Sequence, residues 1–325
     1  MYEYISQYRN ESTVLVRFND VCIQTENDLM NTKYKLKYVV THNGMFHADD
    51  VYAIALVKMM KLPGYRKVIR TRDPALMEDA QLVIDVGFKY DGVKYFDHHQ
   101  KEGCPTFSDG QKKAACSLVW DKFGEGWLLS ELRDPEMTGY VFEKMHKFFK
   151  GISEWDNGNR HRGNVMNISE EISLMNISPT NDYIQDDMFS IIVKKKVDVL
   201  LLMIRRFCTV FGNITVLKNS VKASEDKKPV LVLPYGGLPI SEVDTTGYTC
   251  LMYGTKNGFN IQAIRDITED GVMKNRALAD ERIRGSSNIV LGSTRVEFVH
   301  ASGFFASVAT YSVDEAIAFA LKYFK

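Results

Sequence analysis

From Tyr38 onward, short apolar runs alternate with stretches of helical spacing, and the runs end in polar residues. KYVVTH is such a run, and it predicts a buried strand with its exit loop. DDVYAIALVKMMKL follows, with Val51, Ile54, Ala55 and Lys58 tracing one helical stripe. Asp49 and Asp50 would then sit at a helix N-terminus, where negative charge is favoured. KVIRTR (67–72), AQLVIDVG (80–87) and VKYFDHH (93–99) read as further strands. KAACSLVWDKFG (113–124) reads as a helix closed by Gly124. EMTGYVFEKMHKFFKGISEWDNG (136–158) reads as a helix running into an acidic loop. This alternation predicts an α/β fold with a parallel-rich sheet and crossover helices.

The rest of the chain divides by pattern. Residues 1–36 read as an extension, with STVLVRF and VCIQT as two short strands. Residues 37–185 form the α/β domain, and 186–223 a linking region built on a long amphipathic helix at 186–212. SEDKKP (224–229) breaks the pattern. After it, 224–325 read as a smaller C-terminal α+β domain. Its strands are VLVLP, YTCLMYG, GFNIQAIRD and VEFVHASGF, and DEAIAFALKYFK is a closing helix.

Composition changes this picture little. Lys and Arg number 41 and so do Asp and Glu, so the bulk charge makes no case for nucleic acid, although a local basic patch would still serve. Five scattered cysteines (Cys22, Cys104, Cys116, Cys208, Cys250) with no C-x-x-C pair predict a reducing compartment. The apolar runs are short (VDVLLLMI is the longest of note) and the N-terminus lacks a signal-peptide pattern. An intracellular protein, cytoplasmic or nuclear, with no membrane partner is the expectation.

The chemistry lies at the strand ends. In an open α/β sheet, ligands collect beyond the carboxyl ends of the strands. His42 follows KYVV, Asp85 follows QLVI, and Asp97, His98 and His99 follow VKYF. His47 and Asp49 lie in the loop after the first strand, and Asp156 lies in WDNG. Each residue alone would be an ordinary cap or surface group. Together their carboxylates would repel one another, and bound cations remove that cost. Mixed carboxylate and imidazole ligands suit Mn²⁺, Fe or Zn²⁺, whereas carboxylate-rich sites suit Mg²⁺ or Mn²⁺. No cysteine stands among them, which argues against a structural zinc.

THNGMFHADD, RTRDP, VIDVGFKYD, YFDHHQ, WDNG and FVHASGF occur in this order over residues 38–325. In these six motifs the chain resembles the DHH phosphoesterase superfamily, and most closely the melanocyte-proliferating-gene family of DHH-type RNA exonucleases. The resemblance implies a DHH-type N-terminal domain with two divalent metal ions, Mn²⁺ or Mg²⁺. It implies that His42, His47 and Asp85 hold one ion, and that Asp49, Asp85, His98 and Asp156 hold the other. It casts His99 as the group facing the substrate phosphate and Asp97 as the residue that orients His98 and fixes its tautomer. Arg70 and Arg72, with His300, Ser302 and Gly303 in VHASGF, become substrate contacts through guanidinium, imidazole and backbone N–H groups. The implied reaction is 3′–5′ hydrolysis of single-stranded RNA or of a nucleotide substrate by a metal-activated water, with oligomerisation left open.

Three departures touch the substrate rather than the ligands. Ser153 stands where the family usually has an acid, Phe88 follows Gly87 where it usually has a second glycine, and its proline–tryptophan motif is missing around 234–245. Two rival readings follow. A small-molecule phosphatase or pyrophosphatase would prefer mononucleotides to oligonucleotides. A metal-bound scaffold would bind ions without turnover, but it would have no need of His99.

Overall fold

The computed structural model of the protein describes residues 37–159, 166–178, 180–267 and 273–324. The expected extension at 1–36, with its two strands, lies outside the described residues. Four strands, β1 (Val39–Thr41), β2 (Val68–Arg70), β3 (Leu82–Ile84) and β4 (Tyr95–Phe96), pair in the order β2-β1-β3-β4, all parallel. The expected parallel sheet is present, with strands shorter than their apolar runs. Thr41 pairs with Ile84, and Ile84 with Phe96. The next residues, His42, Asp85 and Asp97, therefore leave the sheet in one row.

Helix α1 (Ala48–Met59) packs behind that row. The single stripe expected for it is wrong, because every residue from Ala48 to Val57 is buried. α1 is a core helix with Tyr52 set edge-on against Phe148 and Phe149. Burial of a side chain such as Ile54 or Leu56 contributes about 1.5–3 kcal/mol, which anchors the N-terminal turn carrying Asp49 and Asp50. Helix α2 (Pro74–Asp79) is capped by Asp73, which accepts from Ala75 N–H at 2.9 Å.

Helix α3 (Ala115–Leu132) runs through Gly124, contrary to the expected stop there, and closes at Arg133 in the left-handed conformation. Gly124 makes room for a ring: a Cβ there would lie 2.6 Å from the Trp120 indole. Helix α4 (Pro135–Asp156) is capped by Asp134, starts with proline and ends on Asp156. Short α5 (Ile168–Ser173) and long α6 (Asp182–Ala223) follow. α6 outruns its expected 186–212 span at both ends. By length and composition alone it is long and apolar enough to cross a membrane, a property that unbroken apolar runs had not revealed. Arg205 and Arg206 interrupt its apolar stretch near the middle, where each arginine costs about 2.5–3.5 kcal/mol to insert.

Of the described residues, those up to Cys208 form one compact unit and those from Thr209 a second. The second unit holds a six-stranded sheet of order β10-β11-β12-β7-β6-β5. Its strands are β5 (Val230–Leu233), β6 (Cys250–Gly254), β7 (Phe259–Ala263), β10 (Ser287–Leu291), β11 (Thr294–Val299) and β12 (Phe305–Ala309). β8 (Asp266–Ile267) and β9 (Met273–Lys274) pair separately. All neighbours in the six-stranded sheet are antiparallel except β5 and β6. VEFVHASGF was expected as one strand. It is the end of β11, a turn and the approach to β12, with Gly303 at φ 74° in the turn. α7 (Val313–Tyr323) closes the unit, and its Phe319 joins Met252, Ile261, Val296 and Val308 in the core.

Candidate metal centre

The row of strand ends meets the first turn of α1 and the last residue of α4. His98 Nε2 lies 3.2 Å from Asp156 Oδ2, 3.3 Å from Asp85 Oδ1 and 3.5 Å from Asp49 Oδ2. His42 Nε2 lies 3.2 Å from Asp50 Oδ2 and 3.4 Å from Asp85 Oδ2. Asp85 thus faces both histidines, one with each oxygen. It sits at φ 55° immediately after β3, a conformation aspartate tolerates better than most residues. The six residues the resemblance implied as ligands come together, with Asp49, Asp85 and Asp156 around His98 and Asp85 also facing His42. Ligand atoms of Asp85, His98 and His99 lie within 4.8 Å of one another, and so do those of His47, Asp49 and Asp156. His47 is exposed, with its ring 6.0 Å from that of His42.

Charge governs these groups. Burial opposes a charged His42, yet Asp50 and Asp85 outweigh it and push its pKa up to about 11. Burial likewise opposes charge on His98, and Asp156, Asp49 and Asp85 overcome it, holding its pKa far above the ordinary range. Burial, then the Asp49 charge, raises the Asp156 carboxyl. Both oxygens of Asp49, Oδ1 of Asp85 and Nε2 of His98 are buried without a hydrogen-bond partner. Such groups cost several kcal/mol unless something compensates them. A divalent cation is the compensation this donor set fits, because carboxylate oxygens converge with imidazole nitrogens whose lone pairs become available once the rings lose a proton. His42 Nδ1, 3.1 Å from the Asn43 carbonyl, donates to it, which leaves Nε2 as the ligating atom in the neutral ring.

Asp97 was expected to orient His98, but it meets that residue at its backbone N–H and holds the His99 ring instead. Its Oδ1 accepts from His98 N–H at 2.7 Å and from His99 N–H at 3.1 Å, and lies 2.7 Å from His99 Nδ1. Its Oδ2 accepts from Phe88 N–H at 2.6 Å. The bond to Asp97 raises the pKa of half-exposed His99. Ser153, fully buried, is a structural residue: its hydroxyl accepts from Ala114 N–H at 3.0 Å and meets Ser117 Oγ at 2.9 Å, joining α3 to α4.

The implied substrate contacts fare differently. Arg70 is turned inward, with 3% of its side chain exposed. Nη1 donates to Asp186 Oδ1 at 2.7 Å and Nη2 to the Gly44 carbonyl at 2.7 Å, and the guanidinium stacks over Phe46 and Phe189. It holds the loop between His42 and His47, so it is not open to a phosphate. Arg72 is exposed. In the second unit, Ser302 N–H and hydroxyl both meet His300 Nδ1, at 3.1 and 2.7 Å, and Gly303 N–H donates to the His300 carbonyl at 2.8 Å. The N–H groups assigned to phosphate are thus already bonded within the turn. A Cβ on Gly303 would lie 2.6 Å from Arg284 Nε, and that guanidinium donates to the carbonyls of Ala279 and Ala277.

Residues 38–322 match the family model MYG1_exonuc, described as "Uncharacterised protein family (UPF0160)". The chain belongs to this family. Its similar relatives include a MYG1 protein of Schizosaccharomyces pombe, 34% identical over 37% of this chain and 39% of the relative. The MYG1 exonuclease of Homo sapiens is 32% identical over 42% of this chain and 41% of its own length. A MYG1 protein of Chlamydia trachomatis is 49% identical over 19% of this chain and 22% of the relative. The matched stretches thus span about two fifths of the first two relatives. No solved structure matches the chain.

Sequence reading had passed over several residues of this MYG1-family site. Asp50 was expected only as helix charge. It is fully buried, its Oδ1 accepts from His47 and Val51 N–H at 2.8 Å each, and its other oxygen faces His42. Asn176 brackets Phe46, accepting from its N–H and donating to its carbonyl at 2.9 Å each. Gln185, also fully buried, donates to Asn176 Oδ1 at 2.7 Å. Cys116 lies within electrostatic range of Asp49, Asp156 and Asp85. Burial, then the Asp49 charge, raises its pKa well above the ordinary value, so it is a neutral thiol. An Asp-Asp pair at a helix start was the one available signal. The rest depends on tertiary contacts, such as those joining Asn176 to Phe46 across 130 residues of chain.

Proposed function

We propose that the chain is a metal-dependent phosphodiesterase that removes nucleotides from the 3′ end of single-stranded RNA. The observation that carries this is the set of buried, unpartnered ligand atoms on Asp49, Asp85 and His98, with Asp85 facing both His42 and His98. The exonuclease names of the human and bovine relatives support the nuclease part of the reading. Asp85, His42, His47, Asp49, His98 and Asp156 would hold two divalent ions, Mn²⁺ or Mg²⁺. Such ions, when bound, supply Lewis acidity to a phosphoryl oxygen and acidify water. The residues of the chain do the rest. Asp97 fixes His99 through Nδ1, so that the other edge of a ring kept protonated by its partner can donate to a phosphate oxygen. Asp50 and the Asn43 carbonyl orient His42. Arg70, Asn176 and Gln185 hold the loop from which His42 and His47 project.

The test is a 5′-labelled single-stranded RNA oligomer incubated with Mn²⁺, Mg²⁺ or a chelator, alongside Asp85→Asn. A metal-dependent ladder that vanishes in the variant supports the reading, and shortening with the label retained establishes attack from the 3′ end. An intact oligomer in a protein shown to bind metal overturns it.

A further inference from the structure

We propose that Phe88 is the stacking platform for a nucleobase of the substrate, a proposal that rests on the phosphodiester reading above. Phenylalanine normally gains by burial and avoids positive φ. Phe88 does neither: it is 69% exposed and sits at φ 54°. Within four residues the turn after β3 holds three left-handed positions, Asp85 at 55°, Gly87 at 101° and Phe88 at 54°. A bulky residue persists in such a conformation only where its surroundings impose it. Here the restraint is identifiable, since the Phe88 N–H is bonded to Asp97 Oδ2.

Asp97 also holds His99, through Nδ1 on its other oxygen. One carboxylate therefore sets the exposed aromatic ring and the half-exposed imidazole in a fixed relation. Their centroids are 6.2 Å apart, with the planes inclined at 73°. If His99 meets a phosphate, an apolar ring beside it meets whatever is attached to that phosphate. In a nucleotide the flat apolar part is the base, and every base presents a π-face, so stacking there tolerates sequence. Met45, another exposed apolar residue in the loop between His42 and His47, has no ring to offer a base. The stacking role therefore falls to Phe88.

Binding, rather than turnover, tests this directly. Adenosine 5′-monophosphate and ribose 5-phosphate are titrated calorimetrically, with Mn²⁺ present, into the wild type, Phe88→Gly and Phe88→Trp. Glycine suits the backbone at φ 54°, so Phe88→Gly keeps the fold and removes only the ring. The wild type should bind the nucleotide roughly 5- to 150-fold more tightly than the sugar phosphate, the range a stacked base supplies. Phe88→Gly should lose that preference with its ribose 5-phosphate affinity unchanged, and Phe88→Trp should keep it. A preference that survives in Phe88→Gly, or no preference in the wild type, overturns the platform. A chain that still degrades RNA with metal in that case loses Phe88's role alone, whereas absence of hydrolysis with intact base preference counts against the phosphodiester reading alone.

Discussion

Two histidine-bearing loops, one in each unit, each follow a strand and differ in their unused hydrogen-bonding capacity. Around His98, three carboxylates converge at 3.2–3.5 Å while Asp49 and Asp85 keep buried oxygens without donors. Around His300, the neighbouring N–H and hydroxyl groups are bonded within the turn itself. A buried polar group without a partner costs free energy, and an ion that fits converging donors offsets that cost. A satisfied one is explained by the fold. The first loop therefore has the donors to hold an ion, whereas the second satisfies itself.

The largest effect that would sharpen this contrast is the pH dependence of metal uptake. Neighbouring carboxylates keep His42 and His98 protonated, and an ion takes the neutral rings, so uptake must release protons. Affinity for Mn²⁺ should rise with pH below about 11, where His42 titrates, by about tenfold per pH unit for each proton displaced. Calorimetry in buffers of different ionisation enthalpy counts those protons, and uptake without release would break the contrast. Without ions the sign reverses. The same pairing then stabilises the fold, fully below the ordinary histidine value of 6.5, and this contribution is lost as pH rises through about 11.

Asp97→Asn comes next. It removes the charge that holds His99 and leaves the proposed ligands in place, so activity should fall about 10- to 100-fold with metal content unchanged. Elemental analysis beside a rate measurement decides it, and loss of metal would make Asp97 a ligand. Asn176→Ala should then leave the Phe46 N–H and carbonyl without their partner and cost about 1–3 kcal/mol in denaturant unfolding, together with weaker metal binding. The smallest effect belongs to the satisfied loop. His300→Ala should cost about 0.5–1.5 kcal/mol and leave metal content unchanged. Metal loss in that variant would erase the distinction between the two loops.

The parts legible in advance were those that local pattern controls. Short apolar runs ending in His42, Asp85 and Asp97 marked a parallel sheet with its chemistry at one edge, because parallel strands are buried and their carboxyl ends face one side. Gly124 misled, because a glycine that closes a helix and one that makes room for a neighbouring indole look the same in a string of letters. Arg70 misled for a similar reason. A guanidinium suits a phosphate or an Asp186 carboxylate equally, and only the packing of Phe46 and Phe189 shows which it meets.

The sequence by itself determined the ionisable residue types of the candidate site, their order and the strand ends that carry them, since side-chain chemistry and apolar periodicity are local properties. Tertiary structure alone decided which oxygens remain unpaired, that Asp50 stands against His42, that the groups around His300 satisfy one another, and that Phe88 is held exposed beside His99. Those outcomes depend on distances in space that residue order does not give, even where the partners are as close in the chain as His300 and Ser302. Hydrogen bonding and charge pairing act within a few ångströms, so they take effect only once the fold has brought those residues together.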